Sequence, residues 1–152
     1  MSGLSYRFAG EADLPVMVEM LADDDISGQR EQNASQLLPE YAKAFAEMMR
    51  MPFNRMLVAE SGGEIVGILQ LVFIPGLSRR GATRAIIEGV RVKSTMRGQG
   101  VGSALIGRAV EEAQRADCAL AQLTSDKRRT RAHLFYRRLG FQQSHEGFKL
   151  EL

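Results

Sequence analysis

The sequence predicts an α/β protein, α+β in detail, with helices packed on a mixed β-sheet. Three observations lead there. Apolar runs of strand type occupy residues 56–60, 64–74 and 85–92. Apolar residues spaced i, i+3, i+4 and i+7 mark helices elsewhere. A strand and a helix are joined near 98–102 by a turn whose glycines, Gly98, Gly100 and Gly102, stand at alternate positions.

In chain order, residues 4–8 start as a short strand. Asp13 can cap a helix with Pro15 in its first turn, and Leu14, Met17, Val18 and Leu21 then share one face. The polar stretch 23–33 reads as a loop. A second helix over 35–49 places Leu38, Tyr41, Phe45 and Met48 inward, and Pro52 closes that region. Residues 56–60, the turn Ser61-Gly62-Gly63 and residues 64–74 form a hairpin. After a loop over 75–81, residues 85–92 are a strongly apolar strand. The glycine turn leads into a helix that ends near Arg115. A strand over 119–124 precedes a helix over 129–139, where Ala132, Phe135, Tyr136 and Leu139 keep the helical period and Gly140 stops it. Phe148, Leu150 and Leu152 alternate as a last strand would.

At 152 residues the chain suits one domain over 1–152. Its 45% hydrophobic and 25% charged residues exclude a disordered chain. No run approaches the roughly 18 apolar residues of a membrane span. The start lacks a basic segment followed by an apolar core, so no secretory signal is expected and the location should be cytoplasmic. The one cysteine, Cys118, excludes an internal disulfide and a multi-cysteine zinc site, and two lone histidines do not make a metal site.

Charge is unevenly distributed. Residues 1–60 carry ten acids and five bases; residues 61–152 carry eight acids and fifteen bases. Most of the bases are Arg, the side chain suited to phosphate. The second part therefore looks prepared for a polyanion, either a nucleotide-like cofactor or a nucleic acid. No aromatic-rich basic strand or recognition motif supports nucleic acid.

The glycine turn narrows the choice. Converging backbone N–H groups and the partial positive charge of a helix N-terminus suit a pyrophosphate. G-x-x-x-x-G-K-[ST] is absent, and G-x-G-x-x-G would need a small residue where Ser103 or Leu105 stands. A nucleoside-triphosphate or dinucleotide loop is thereby disfavoured. Val92, Arg97, Gly98, Gly100, Val101 and Gly102 instead resemble the acetyl-CoA signature V-x-P-x-x-[RQ]-G-x-G-[IVA]-G of the GNAT acetyltransferase superfamily, with Ser94 at the proline position. Ala132, Phe135, Tyr136, Gly140 and Phe141 resemble that family's A-x-x-[FL]-Y-x-x-x-G-F helix ending.

The resemblance implies a GNAT-like twisted sheet, mixed and mostly antiparallel, of six to seven strands flanked by about four helices. It implies acetyl-CoA as co-substrate, with the pantetheine arm bonded to Val90, Arg91 and Val92 like an added strand. The pyrophosphate would meet Arg97, Gly98, Gln99, Gly100, Val101 and Gly102, with Ser103 at the helix start and Arg129 near the phosphates. No metal is expected.

Amine acetylation requires a neutral amine, a stabilised oxyanion and a proton for the leaving thiolate. Glu88, set in the apolar run 86–90, is the base candidate, against a salt-bridged or solvent-facing glutamate. Tyr136 is the acid candidate, against a core tyrosine. The Val90 N–H can serve the oxyanion if the strand bulges there. His133 is expected as a satisfied structural histidine, His145 as a tail residue open to substrate, Cys118 as a small buried hydrophobe and the methionines as core. Asp23, Asp24 and Asp25 read as a solvated loop, against attraction of a cationic acceptor, and Lys127, Arg128 and Arg129 as a solvated helix entry, against contact with the cofactor's phosphates.

The acceptor should be a small primary amine. The pattern A-H-x-F-Y followed by Q-S-H is similar to aminoalkylphosphonate N-acetyltransferases, and Arg79, Arg80 and Arg84 could meet an anionic acceptor. The alternatives are a protein amine as acceptor and a non-catalytic acyl-CoA-binding module, and a homodimer is the expected assembly if the chain is not a monomer.

Overall fold

The computed structural model describes residues 3–24 and 39–152. Its sheet has five strands in chain order: β1 (Leu4–Phe8), β2 (Asn54–Ser61), β3 (Glu64–Pro75), β4 (Thr83–Val92) and β5 (Leu120–Gln122). β1 to β4 pair antiparallel in succession, and β5 lies parallel to β4. The β2–β3 connection is two residues long, and Gly62 and Gly63 take the positive φ that such a hairpin turn requires (59° and 82°). β3 and β4 are joined across the single turn α3 (Ser78–Gly81), where Arg79 and Arg80 also stand at positive φ.

Four longer helices cover the sheet: α1 (Leu14–Ala22), α2 (Pro39–Arg50), α4 (Val101–Arg115) and α5 (Thr130–Arg138). The two-residue period of the strands sorts the core into two layers. Leu57, Leu69, Leu71, Ala85 and Ile87 pack with Val101, Leu105, Ile106 and Ala109 of α4. Met56, Val58 and Ile68 pack with Met17 and Met20 of α1 and Phe45 of α2. Gly67 explains how close α4 comes to the sheet, because a Cβ there would lie 3.1 Å from Val101 Cγ1 and 3.3 Å from Leu105 Cδ2. No described helix is long and apolar enough to cross a membrane.

The element order agrees with expectation as far as α5. The strand count does not: five are present among the described residues where six to seven were expected. Phe148, Leu150 and Leu152 lie in an exposed extension without strand partners. A strand needs a neighbour for its backbone groups, and alternation alone does not supply one. Asp13 also departs from expectation. Its carboxylate accepts from Gly10 N at 2.8 Å and from Arg7, so it closes the short turn before α1 instead of capping α1 itself. Residues 25–38, which include Asp25 and Leu38, lie outside the described residues.

Candidate functional site

The site is organised by β4. Its first residues, Arg84, Ala85 and Ile86, pair with β3 on one side and β5 on the other. β5 then ends at Gln122 while β4 runs on to Val92. From Ile87 onward, no strand among the described residues covers that edge. On the β3 side the register shifts. Ile68 pairs with Arg91 and Gln70 with Glu88, so Gly89 and Val90 together oppose Leu69 alone. Gly89 has φ 59°. A left-handed glycine with one extra residue is a β-bulge, which takes Val90 out of the regular ladder. Val90 O accepts from Arg91 Nη1 at 2.9 Å, and Val92 O from Arg97 Nε at 3.2 Å.

Beyond β4 the chain passes a 3-10 turn (Ser94–Met96) and enters α4 through Gly98 and Gly100, whose φ values are 75° and 85°. Gly100 is the N-cap of α4, and Gln99 Nε2 donates to Thr95 O at 3.0 Å, tying the turn to itself. The first turn of α4 holds no acidic side chain. Its leading N–H groups lack helical acceptors by construction, so this end suits an anion. Val101 is buried and anchors the helix, leaving only its backbone for a ligand; Ser103 is exposed. Gly102 has a different role from its neighbours. A Cβ there would lie 3.4 Å from Phe135 Cζ and 3.6 Å from Val92 Cγ2. A single Cβ would sit there in ordinary contact, so Gly102 faces the α4–α5 junction and only a larger side chain would overfill it.

An ion cluster closes one side of this groove. Asp24 lies just beyond α1, and its side chain is only 12% exposed. It accepts two bonds from Arg129, one of them at 2.9 Å from Nη1, and pairs with Arg91 Nη2 at 3.3 Å. Asp23 binds Arg97 through its carbonyl at 3.0 Å and its carboxylate at 3.2 Å. Asp23, Asp24, Val90, Arg91, Val92, Arg97 and Arg129 line a cavity of about 260 Å³. Asp24 is therefore no solvated loop residue, and Arg129 is turned inward while Arg128 beside it pairs with Asp126 in solvent. The hydrogen bonds to Asp24 raise the Arg129 pKa.

Glu88 and Tyr136 approach from opposite faces of the sheet. Tyr136 packs on the α4 layer, with its ring edge-on to Phe135 and Phe141 at 5.1 and 6.0 Å. Burial pushes its phenol above the ordinary value, and the charges of Arg91 and Arg129 offset part of that rise. Glu88 alternates with the buried Ala85 and Ile87, so it belongs to the face that α1 and α2 cover, and it is exposed. Opposite it stands Gln70, whose Nε2 donates to Oδ1 of the buried Asn54 at 2.7 Å.

The remaining expected residues are more dispersed. A His133 ring nitrogen lies 2.9 Å from Asp126 O, as a satisfied structural histidine should. His145 Nδ1 lies 2.7 Å from Oγ of its neighbour Ser144. Cys118 is half-buried, and burial raises its thiol pKa. Met17, Met20 and Met56 are core, whereas Met49 and Met51 are exposed. Arg79 and Arg80 lie across the far hairpin end, about 20 Å along β4 from the bulge at roughly 3.3 Å per residue. Arg84 donates to Gln122 on β5. Asp24 lines the cavity and Gln70 stands opposite Glu88 with Asn54 bonded to it; sequence reasoning singled out neither Asn54 nor Gln70 and gave Asp24 no arginine partners. Gly89 within the strand is the local signal that could have marked the bulge, whereas nothing local to Asp24 marks partners in β4 and α5.

A family model described as the acetyltransferase (GNAT) family matches residues 18–141. The chain is 36% identical over 108 residues to an aminoalkylphosphonate N-acetyltransferase from Salmonella typhimurium, covering 71% of this chain and 70% of that one. A crystal structure described as a transcriptional regulator from Bacillus halodurans C-125 superimposes with TM-score 0.94 at 47% identity, over 98% of this chain and 99% of that one. A Trypanosoma brucei acetyltransferase superimposes with TM-score 0.78 at 28% identity, over 98% and 99% of the two chains.

Proposed function

The chain belongs to the GNAT acetyltransferase family and is an acyltransferase, and we propose that it transfers the acetyl group of acetyl-CoA to a primary amine of a small molecule. The observation that carries this reading is the half-open strand β4, bulged at Gly89 and followed at once by the anion-ready start of α4. An extended amide-bearing arm fits such an edge, and a pyrophosphate fits such a helix end. Acetyl-CoA supplies the thioester that is broken.

Val90, Arg91 and Val92 would bond the pantetheine arm through their backbone. The guanidinium groups of Arg91 and Arg97 now occupy the carbonyls of Val90 and Val92, so both must swing outward on binding. That movement would carry them toward the cofactor's phosphates, with Arg129 beside them. The backbone of Arg97, Gly98, Gln99, Gly100, Val101 and Gly102, and Ser103 at the helix start, would hold the pyrophosphate.

Glu88 would accept the proton that the amine loses, directly or through water. Its exposure suits this role, since a base must reach an acceptor entering from solvent. Val90 N–H, displaced by the bulge, would donate to the oxygen on which charge develops. Tyr136 would give its phenolic proton to the departing sulfur. Its raised pKa keeps that proton in place at neutral pH. Gln70 and Asn54 would orient the acceptor beside Glu88. The Salmonella relative supports an acceptor that joins an amine to an acidic group.

The test is thiol release from acetyl-CoA over aminoalkylphosphonates, aminosugars, polyamines, amino acids and peptides, with product mass as readout. Acetylation of at least one small amine is expected. Tight acetyl-CoA binding without thiol release for any acceptor would sink the reading, and activity confined to peptides would replace the small amine with a protein one.

A further inference from the structure

Asn54, the first residue of β2, is 9% exposed and is the polar side chain that the core holds among the described residues. A buried amide costs free energy unless both its ends are bonded. Its Oδ1 accepts from Gln70 Nε2 at 2.7 Å, and its Nδ2 donates to Met51 Sδ at 3.2 Å. A thioether sulfur accepts and does not donate. It therefore fixes which way round the Asn54 amide sits, since the reverse orientation would set Oδ1 against sulfur. Asn54 in turn fixes Gln70, whose Nε2 is held toward β2 while Oε1 is left free of that bond.

Gln70 on β3 stands between β2 and β4, opposite Met56 on one side and Glu88 on the other. Directly opposed side chains in antiparallel strands have Cβ atoms about 4.5–5.5 Å apart. No described residue donates to Gln70 Oε1 or pairs with the Glu88 carboxylate, and Glu88 is exposed. Two neighbouring groups thus present oxygens that can only accept, with no donor between them among the described residues.

We propose that Gln70 determines specificity for the reacting atom: its Oε1 and the Glu88 carboxylate together receive the acceptor's N–H groups, so the site takes an amine and turns away a hydroxyl. The proposal rests on acetyl transfer beside Glu88. An ammonium group brings three protons. One passes to Glu88, and the freed lone pair attacks the thioester carbon. The C–N bond forms and the C–S bond breaks, with the sulfur taking its proton from Tyr136. A second nitrogen proton leaves to water as the adduct collapses, and the third stays in the amide product. Gln70 Oε1 can therefore hold one N–H from arrival to product. A hydroxyl has a single proton. Once that is directed to Glu88, its oxygen meets Gln70 Oε1 with lone pairs alone, and the amide oxygen is left without a donor.

The experiment compares Gln70→Leu with Gln70→Glu. Both lose the bond to Asn54, so any structural cost of that loss is common to them, and only Glu keeps an accepting oxygen. Calorimetry measures matched probes, 2-aminoethylphosphonate against 2-hydroxyethylphosphonate and propylamine against propanol. It is done with coenzyme A present and absent, so that nothing is transferred. The parent should bind the amine of at least one pair about 10-fold or more tightly than its alcohol. Gln70→Leu should weaken amine binding by about 10–10²-fold and alcohol binding little, whereas Gln70→Glu should stay closer to the parent. In turnover the Leu substitution should raise KM for the amine far more than it lowers kcat, as loss of a contact held from arrival onward does. This binding pattern without acetylation of any amine would end the acetyl-transfer reading and still support selection by Gln70. A parent that binds amine and alcohol alike, equal losses in the two variants, or a Leu variant that loses both members of a pair alike would each overturn it.

Discussion

The two halves of β4 differ in what lies beside them. Arg84, Ala85 and Ile86 are held between β3 and β5 in regular register. Ile87 to Val92 keep β3 on one side only, and that pairing is interrupted at Gly89. The two halves are similarly apolar in composition, and both contribute buried residues to the α4 layer. What separates them is the length of β5 and one left-handed glycine. The second half is the one proposed to hold the cofactor, because its outer backbone groups are not spent on a neighbouring strand. In the resting chain, guanidinium groups take that neighbour's place, and two aspartates from beyond α1 hold them there.

The largest effect should come from Tyr136→Phe. The ring keeps its contacts with Phe135 and Phe141, so fold and acetyl-CoA affinity should persist while kcat falls by about 10²–10⁴-fold. Its pH profile sharpens the test. As the proposed proton donor Tyr136 would work while protonated, and burial raises its pKa. The alkaline loss of kcat should therefore begin above the ordinary tyrosine value of about 10 and be absent from the variant. A parent profile falling well below that range, measured where chemistry limits the rate, would reassign the proton donor.

Two glycine substitutions separate ligand binding from packing at the open end. Gly100→Val introduces a β-branched residue at φ 85° in the turn, and calorimetry should show acetyl-CoA binding weakened by about 10²-fold or more. Gly102→Val acts on the Phe135 contact instead. It should cost about 1–3 kcal/mol of stability by overpacking, measured by denaturant unfolding. Equal stability losses in the two variants would erase the distinction between them.

Glu88→Gln should lower kcat/KM by about 10²-fold near neutral pH and progressively less as pH rises, because more of the amine is then already neutral. A pH-independent loss would make Glu88 a binding residue. Asp24→Asn should have a smaller and opposite effect on the cofactor. Weakening the counter-ion of Arg91 and Arg129 frees them for phosphate, so acetyl-CoA affinity should rise several-fold, roughly 1 kcal/mol, with a steeper salt dependence. Weaker binding would mean that Asp24 positions these arginines for the ligand. The smallest effect belongs to the closed half. Arg84→Ala loses one bond to Gln122, at about 1 kcal/mol or less, and kcat/KM should stay within about two-fold.

Much of this architecture was legible locally. The alternation in β2 and β3 separates Leu57 from Met56 and Val58, as the two core layers require. The helical period around Phe135 and Tyr136 places both on the sheet side of α5. Gly98 and Gly100 mark the turn because their backbone needs positive φ. Each of these features depends on residues within a few positions of one another, where sequence spacing and spatial spacing agree.

The sequence by itself determined the strands, the helices and the turn between β4 and α4, since backbone sterics and the sorting of apolar residues act over one or two turns of chain. Only the tertiary structure decided that Asp24 meets Arg129 across 105 positions, that Gly102 serves a helix contact, and that Arg79 and Arg80 stand far from the bulge. Those outcomes depend on how distant segments are brought together. Ion pairs carry no period, and a glycine looks the same in sequence whether a ligand or a phenyl ring occupies the space beside it. The final alternation shows the same limit: Phe148, Leu150 and Leu152 have the pattern of a strand, but a strand also requires an edge to join, and the described residues offer them none in use.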